Sequence, residues 1–530
     1  MHTSPETDSA VYGYGTNDLV VVYAGEAVGQ CLLELEWPLP AQCLDLLSLF
    51  RRSSNHFGAR TGRRLVDALS FFQLDGWTAV EREEVKALVH HGPPFTGSEI
   101  KQLLASCHAH VEALRRLLPL LLKDITLHHA LLMGRYTMGA LSAIERAGVP
   151  VDSLQVKQLV VAKDRVIRDL TIDVNQQYGV YDNGRLIEVR LASYLARQGI
   201  SWPRSVGGTL DMKDDTWKAM AVAYPILSPL HECRKTIAAL RCWSPSIGVD
   251  GRVRTALMPF AARTGRNLPS TSKYPYAWPR WMRALIRPPT GRALITIDYD
   301  QQEFCVAAAL SKDEVMMSAY SSGDPYLQMA LSARAISVGT TPHERSRIRE
   351  LYKTVSIGML YDITEHGLAF QVGGKAHARD LIASHRTLYP SYHRWHADQL
   401  DRLLLGGALT TPFGWTISRG PVADDDLNPR SVGNWPIQSA AGDILRIALI
   451  SLVENGHNIV AAAHDAAIVE CDLDEVEAVK ACASQIMVEA SEVVLGGVGC
   501  RVSATVTVGG SDPCQIDTPP MLRRIISRLN

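Results

Sequence analysis

The sequence predicts an α+β, multidomain chain, and three observations carry that reading. A run of β-formers, Ala293 to Ile297, leads straight into an aspartate, Asp298. Asn458 to Glu470 reads as a hairpin: strand, a turn at His464–Asp465, strand. Around both lie long stretches whose apolar residues recur at helical spacing. At 530 residues the chain has the length of about three or four domains. It is 46% apolar and 21% charged, near globular averages, which excludes disordered, collagenous and coiled-coil classes.

Residues 1–126 read as a small α/β unit. Leu19 to Val22 and Cys31 to Leu35 look like strands; Cys43 to Arg51, Gly62 to Phe72 and Thr96 to Leu122 look like helices. From Leu127 to about Leu240 the pattern is helical, broken at Gly148-Val-Pro150 and at Trp202-Pro203. The strand into Asp298 follows, then a helix-rich block from Gln302 to about Leu405. Thr411 to Asn434 is rich in Gly, Pro and Asp and reads as a loop, and Pro436 to Asn455 as a helix. After the hairpin, Asp472 and Glu475 form a capping-box pattern for a helix to about Leu495. The tail from Asp512 to Asn530 carries no readable motif.

Net charge is −1, with 54 basic and 55 acidic residues, so the average says nothing about partners. Locally the balance is extreme. No acid lies between Asp250 and Asp298, where eight arginines and Lys273 alternate with Tyr274, Tyr276, Trp278 and Trp281. A surface set against phosphates excludes acids as well as recruiting bases. No uncharged apolar run approaches the roughly 20 residues that span a bilayer, and the polar first residues lack a leader pattern. Ten cysteines without a C-x-x-C pair fit a reduced, cytoplasmic setting better than a disulfide framework or a zinc ribbon.

Two constellations carry chemistry. Asp298 ends a strand and Asp465 sits in a hairpin turn. Taken singly, each is a common turn former; on neighbouring strands they would form a two-metal site, with ions roughly 3.5–4 Å apart. The second is Arg345, Arg349, Lys353, Ile357 and Tyr361. Their four-residue spacing puts them on one helical face. That face changes from cationic to aliphatic to aromatic, which suits a triphosphate at one end and a flat ring at the other.

These motifs resemble those of family A DNA polymerases. Asp298-Tyr-Asp-Gln-Gln-Glu303 resembles the first palm motif, Arg349-x3-Lys353-x3-Ile357-x3-Tyr361 the fingers helix, and His464-Asp465-Ala466 the second palm motif. Thr264-Gly-Arg266, Gly323-Asp-Pro-Tyr326 and Arg430-x3-Asn434-x-Pro-Ile-Gln438 agree in order and spacing. The resemblance covers about residues 130–510 and implies a right-hand fold: an antiparallel palm sheet with helical fingers and thumb. Residues 127–250 would be thumb, 251–320 and 411–530 palm with the tail, and 321–410 fingers. It implies that Asp298 and Asp465, with the Tyr299 carbonyl, hold two Mg²⁺ ions, for which Mn²⁺ can substitute. Arg349 and Lys353 would grip a deoxynucleoside triphosphate. Ile357 and Tyr361 would line its pocket, and Glu303 would exclude a ribose 2′-hydroxyl. Arg266, Arg430, Asn434, Gln438 and His464 would hold primer–template DNA. The expected enzyme is a monomeric, nucleoid-associated DNA-directed DNA polymerase.

Three positions depart from the family pattern: Ala466, where Glu is frequent; Ile357, where an aromatic is common; and Asp362, where Gly is usual. Residues 1–126 resemble the latter part of a 3′–5′ exonuclease domain of RNase H-like fold, through CLDLLSLFR, LVDALSFFQLDG and SCHAHVEALRRLLPLLL. The opening D-x-E motif is absent, and Ser106 and His110 stand where a tyrosine and an aspartate are expected. Glu26 and Asp45 remain, and His108 and His110 are more readily surface residues than replacement ligands. The expectation is a degenerate domain without proofreading. Two other readings stay open: a non-catalytic DNA-binding descendant, favoured by Ala466 and Asp362, and a single-subunit RNA polymerase, disfavoured by Glu303.

Overall fold

The structure is a computed structural model that describes residues 13–15, 17–57, 62–76, 79–205, 207–337, 339–419, 429–510 and 519–528. It divides into two compact units. The first comprises Met1–Ala147, Leu257–Leu268 and Ile295–Val506; the second comprises Gly148–Ala256, Pro269–Leu294 and Thr507–Asn530. Residues 127–147, grouped from sequence with the helices that follow them, fold with the first unit.

The centre of the first unit is a four-stranded sheet. Its order is Asn458–Ala463, Ala466–Asp472, Arg292–Tyr299, Val502–Val508. The first two strands are the expected antiparallel hairpin, with Ala463 paired to Ala466 and Asn458 to Glu470. Its two-residue turn is His464–Asp465, and His464 takes a left-handed φ of 58°, the sign such turns need. Helices Pro429–Glu454 and Val476–Leu495 pack against each other beside this sheet. Burial explains the long first helix: Val432, Ile437, Ala440, Ile444, Ala448, Leu449 and Leu452 are all fully buried. It is long and apolar enough to cross a membrane, yet 67% of its most apolar stretch is inside the fold, as for a core helix.

Several local expectations change. Cys31–Leu35 is not a strand; Gly25–Glu34 is a helix. The alternation CLLEL suggested period two, but Val28 and Leu32, four apart, pack on Val22, Cys43 and Met138, and that contact selects the helical period. Cys43–Arg51 is not one helix. Gln42–Asp45 pairs in parallel with Leu19–Val22, and the helix Leu46–Ser53 begins after Asp45. Asp45 is fully buried and accepts from Ala24 N (3.0 Å), Leu47 N (3.0 Å) and Ser48 Oγ (2.6 Å). Such an N-cap contributes about 1 kcal/mol.

The loop expected over 411–434 holds a strand, Thr416–Arg419, paired with Ala408–Thr410 and with His56–Phe57. Residues 420–428 lie outside those described. The following helix starts at Pro429 and carries Pro436 inside it, where a proline gives up one backbone bond. At Asp472 the capping box does not form; a single 3-10 turn, Leu473–Glu475, leads into the helix.

The second unit is built on helices Ser153–Asn175, Glu188–Arg197, Asp214–Ala223 and Ser228–Cys242. Its core contains Trp202, Trp217, Trp243 and Trp278. Trp243 and Trp278 meet edge to face at 5.4 Å and 83°. This corrects the reading of the acid-free stretch as a run of exposed bases and rings: Tyr274 and Trp278 are core residues, 5% and 1% exposed. Some of its arginines serve the chain itself. Arg254 pairs with Asp250, and Arg283 donates to the Trp278 carbonyl (2.9 Å). The unreadable tail also has a place. Pro520–Ile526 is a helix whose Met521, Leu522 and Ile525 join this core, while Arg524 and Arg528 pair with Asp173.

Candidate active site

Asp298 is the penultimate residue of the Arg292–Tyr299 strand, and Asp465 lies in the turn entering the neighbouring strand. Their side chains are hydrogen-bonded to each other, and the Asp298 carboxyl is pushed up to about 7. Burial is the first cause; the Asp465 charge and its hydrogen bond follow, then Asp300. Two carboxylates in contact resist shared ionisation, and a divalent cation between them would relieve the repulsion with the oxygen donors that Mg²⁺ prefers. Among the described residues no set of three His, Cys, Asp or Glu side chains could hold a metal. The carbonyl of Tyr299 adjoins Asp298, and its ring is anchored below: Tyr299 is 3% exposed and its hydroxyl donates to the Met487 carbonyl at 2.6 Å. Ala466, where a third carboxylate was weighed, is buried and paired to Ala463.

A second group meets at the start of helix Gln302–Ser311. Glu303 accepts from the Tyr361 hydroxyl at 2.8 Å and from Gln438 Nε2. Gln438 Nε2 also donates to the Tyr361 hydroxyl at 2.6 Å, and Asn434 bonds to it as well. Burial and then the Glu303 charge raise the Tyr361 hydroxyl to about 12. The Gln438 carbonyl accepts from Arg266 Nε at 3.2 Å. Burial lowers the Arg266 guanidinium from its ordinary range, while Glu303, Asp465 and Tyr361 pull it back up. Arg266 therefore links the aspartate pair to this network. His464 is exposed beside Asp465.

The Pro342–Leu360 helix starts with Thr341 in a reciprocal capping box with Glu344, and Pro342 at its first position. Lys353, Ile357 and Tyr361 line one cavity of about 530 Å³, and Arg430 lines it with them. Arg349 is not among the lining residues. It bonds to Asp324 and to Glu350 Oε1 (2.7 Å), and lies 5.7 Å over the Tyr326 ring. The sequence reading had noted Gly323-Asp-Pro-Tyr326 without a role. Asp324 caps the next helix by accepting from Tyr326 N and Leu327 N, so it holds Arg349 from a fixed point. Arg345 is exposed on the first turns.

Asp362 looked unfavourable near a triphosphate. The structure turns it away: its φ is 52°, the left-handed region that glycine usually fills, and its Oδ2 lies 3.2 Å from His396 Nε2. Gly433 makes room, because a Cβ there would stand 1.9 Å from His396 Nε2.

Three supporting residues were missed altogether. Arg446 and Asp443, 9% and 2% exposed, form a buried pair. Arg446 also donates to the Gly265 carbonyl (2.7 Å) and lies 4.8 Å over Phe260, which braces the segment leading to Arg266. The Asp443-x-x-Arg446 spacing on a helix was the available signal. Arg501 clamps the turn after Asp298. It donates to Gln301 Oε1 (2.9 Å) and the Gly323 carbonyl (2.9 Å), and its own carbonyl accepts from Asp300 N (2.9 Å).

In the N-terminal segment, Glu26 is raised to about 7, first by burial and then by Asp45, and its Oε2 has no hydrogen-bond partner. His108 and His110 lie on helix Gly97–Leu121 and are both exposed.

Comparison with known proteins bears on family and fold. The profile of DNA polymerase family A matches residues 226–511. DNA polymerase I of Aquifex aeolicus is 24% identical over 382 residues, 68% of this chain and 64% of that protein. DNA polymerase I of Lactococcus lactis subsp. cremoris is 25% identical over 307 residues, 53% and 34%. The thermostable DNA polymerase I of Thermus thermophilus is 28% identical over 296 residues, 51% and 35%. The matches thus span about a third of the length of the last two proteins. In fold, the POL domain of Pol1 from M. smegmatis, solved in complex with DNA primer-template and dNTP, aligns with a TM-score of 0.75 at 18% identity, over 96% of this chain and 89% of that one. With the family profile matched over more than half its length, the chain belongs to DNA polymerase family A.

Proposed function

We propose that the chain is a DNA-templated DNA polymerase that extends a primer 3′ end and releases pyrophosphate, without proofreading. The observation that carries this reading is the contact of Asp298 and Asp465 on neighbouring strands. Asp298, Asp465 and the Tyr299 carbonyl would hold two divalent cations, Mg²⁺ with Mn²⁺ as substitute. When bound, such ions neutralise phosphate charge and lower the pKa of the attacking hydroxyl.

The residues of the chain supply the rest by position and charge, as phosphoryl transfer requires. Lys353 binds the triphosphate from within the cavity. Arg349 joins it by exchanging Asp324 and Glu350 for phosphate oxygens. The primer 3′-oxygen forms a bond to the α-phosphorus as the bond to the β-phosphate bridge breaks. Tyr361 and Ile357 pack against the incoming base and sugar. Glu303 is held by Tyr361 and Gln438 where a 2′-hydroxyl would meet it, which favours deoxynucleotides. Arg266, Gln438, Asn434, Arg430 and His464 hold the primer–template end. Ser106 and His110 stand where the resembled exonuclease carries a tyrosine and an aspartate, and this supports the reading without proofreading.

The experiment is extension of a 5′-labelled primer on a longer template with Mg²⁺ and four deoxynucleotides. Extension that stops at the template end, with no primer shortening when nucleotides are omitted, supports both halves of the proposal. A primer that is bound but not extended with either metal would replace it by the non-catalytic DNA-binding reading.

A further inference from the structure

The Pro342–Leu360 helix ends in a turn that needs one left-handed residue, and the chain puts an acid there. Ile363 N donates to the Gly358 carbonyl (2.8 Å) and Asp362 N to the Met359 carbonyl (3.3 Å), the two bonds of a Schellman ending. The left-handed residue is Asp362, at φ 52°. An aspartate enters this region at more cost than glycine, so a contact beyond the turn itself has to hold it. His396 supplies that contact: its Nε2 lies 3.2 Å from Asp362 Oδ2. The same nitrogen is buried without an aligned hydrogen bond, and a buried donor or acceptor in that state calls for an explanation.

The histidine is placed from a fixed framework. Its ring lies 5.7 Å from that of Tyr392, one helical turn before it. Tyr392 is fully buried, and its N donates to Asp313 Oδ2 at 3.0 Å. Gly433 leaves the space for the contact, since a Cβ there would overlap His396 and stand 2.7 Å from Asp362 Oδ2. Gly433 belongs to the helix that carries Asn434 and Gln438. Tyr361, the residue before Asp362, is 45% exposed, so packing alone does not fix its ring. Its direction rests on the bonds of its hydroxyl to Glu303 and Gln438 and on the backbone turn that Asp362 completes.

We propose that Asp362 and His396 are a positioning pair that fixes Tyr361 against Glu303 and so sets how strongly the site excludes a ribonucleotide. This rests on the polymerase reading and on the role it gives Glu303. Neither Asp362 nor His396 lines the cavity beside Tyr361; both act through the Tyr361 hydroxyl, one of the two donors that hold the Glu303 carboxylate.

The test is equilibrium binding of the template-complementary deoxy- and ribonucleoside triphosphates to the full chain, on a primer–template whose primer ends in a dideoxynucleotide, with Mg²⁺. Such a primer has no 3′-hydroxyl, so no bond forms, and the ratio of the two affinities is the readout. Asp362→Gly relieves the backbone and should not lower Tm, yet the ratio should fall by about tenfold, the scale of one hydrogen bond to a charged group. His396→Ala should lower it as far, and the double variant no further, because either change removes the same contact. Asp362→Asn tolerates the left-handed region and keeps an oxygen towards His396, so it should restore most of the ratio. An unchanged ratio in Asp362→Gly overturns the inference. Additive losses in the double variant overturn it too, as does a loss in Asp362→Asn equal to that in Asp362→Gly. Should His396→Ala fail to fold, the comparison of the Gly and Asn variants decides alone. A parent that binds neither nucleotide, or both equally, also overturns it. Primer extension is read in parallel: a parent that prefers the deoxynucleotide but does not extend sinks the polymerase reading alone, whereas extension with an unchanged ratio in the variants sinks this inference alone.

Discussion

Removing one partner of the buried Asp443–Arg446 pair should be costly, and removing both should not. The two side chains are 2% and 9% exposed, so neither charge has water to fall back on. Asp443→Asn would leave the Arg446 guanidinium buried with only the Gly265 carbonyl and the Phe260 ring. Breaking a pair of this kind costs about 3–5 kcal/mol. For a folded unit of this size that is a fall in Tm of about 6–10 °C, taking about 2 °C per kcal/mol. Asp443→Leu with Arg446→Met removes both charges at similar volume, a change that is often neutral in stability. It still deletes the hydrogen bond to Gly265, the residue before Arg266. The double variant should therefore regain most of the lost Tm while binding primer–template several-fold more weakly than the parent. Thermal denaturation by circular dichroism and a DNA titration at fixed salt read the two effects separately. A single variant within about 1 °C of the parent refutes the argument from burial. A double variant with full DNA affinity refutes the bracing role assigned to Arg446.

Other expectations follow from single sites. Glu26 has an ordinary value of 4.5 and is raised to about 7, so the native state holds its proton more tightly than the unfolded chain. That stabilisation is present below pH 4.5 and is lost as pH rises towards 7, about 3 kcal/mol in all. Glu26→Gln should thus raise Tm at pH 8 and do little at pH 4.5; an equal shift at both would contradict the burial argument. Gly265→Ala should destabilise the protein by about 1–3 kcal/mol, since φ is 72° and a Cβ would stand 3.0 Å from the Trp415 ring; an unchanged Tm would show that the loop can move aside. Glu303→Ala should admit ribonucleotides in competition assays, and unaltered sugar selectivity would remove the role given to Glu303.

The parts of the site legible in the sequence were those fixed by local spacing. A strand running into Asp298, a two-residue hairpin turn that holds Asp465, and an i, i+4 ladder from Arg349 to Tyr361 need no knowledge of what packs around them. What failed to show depended on tertiary partners. CLLEL alternates like a strand, and only the surface under Val28 and Leu32 makes it a helix. Pro436 suggested a helix start, yet burial on both sides carries the helix through it. Asp362 read as a misplaced charge because its direction is set by a backbone twist and by His396, 34 residues further along the chain. Trp278 and Tyr274 lie in a basic stretch that read as a surface, and instead are buried. Pairs such as Arg349–Asp324 are invisible in sequence for the same reason: nothing local says which acid a base will meet.

The central claim is that Asp298 and Asp465 act together as the metal-holding pair of a template-directed polymerase. Single-nucleotide incorporation tests it most directly, with the parent, Asp298→Ala and Asp465→Ala assayed at saturating primer–template across a Mg²⁺ titration. The account predicts incorporation of only the template-complementary deoxynucleotide by the parent, a loss of at least about a thousandfold in either variant, and retained binding of primer–template by both. Incorporation by either variant at near-parental rate, or by the parent without regard to template, would contradict it.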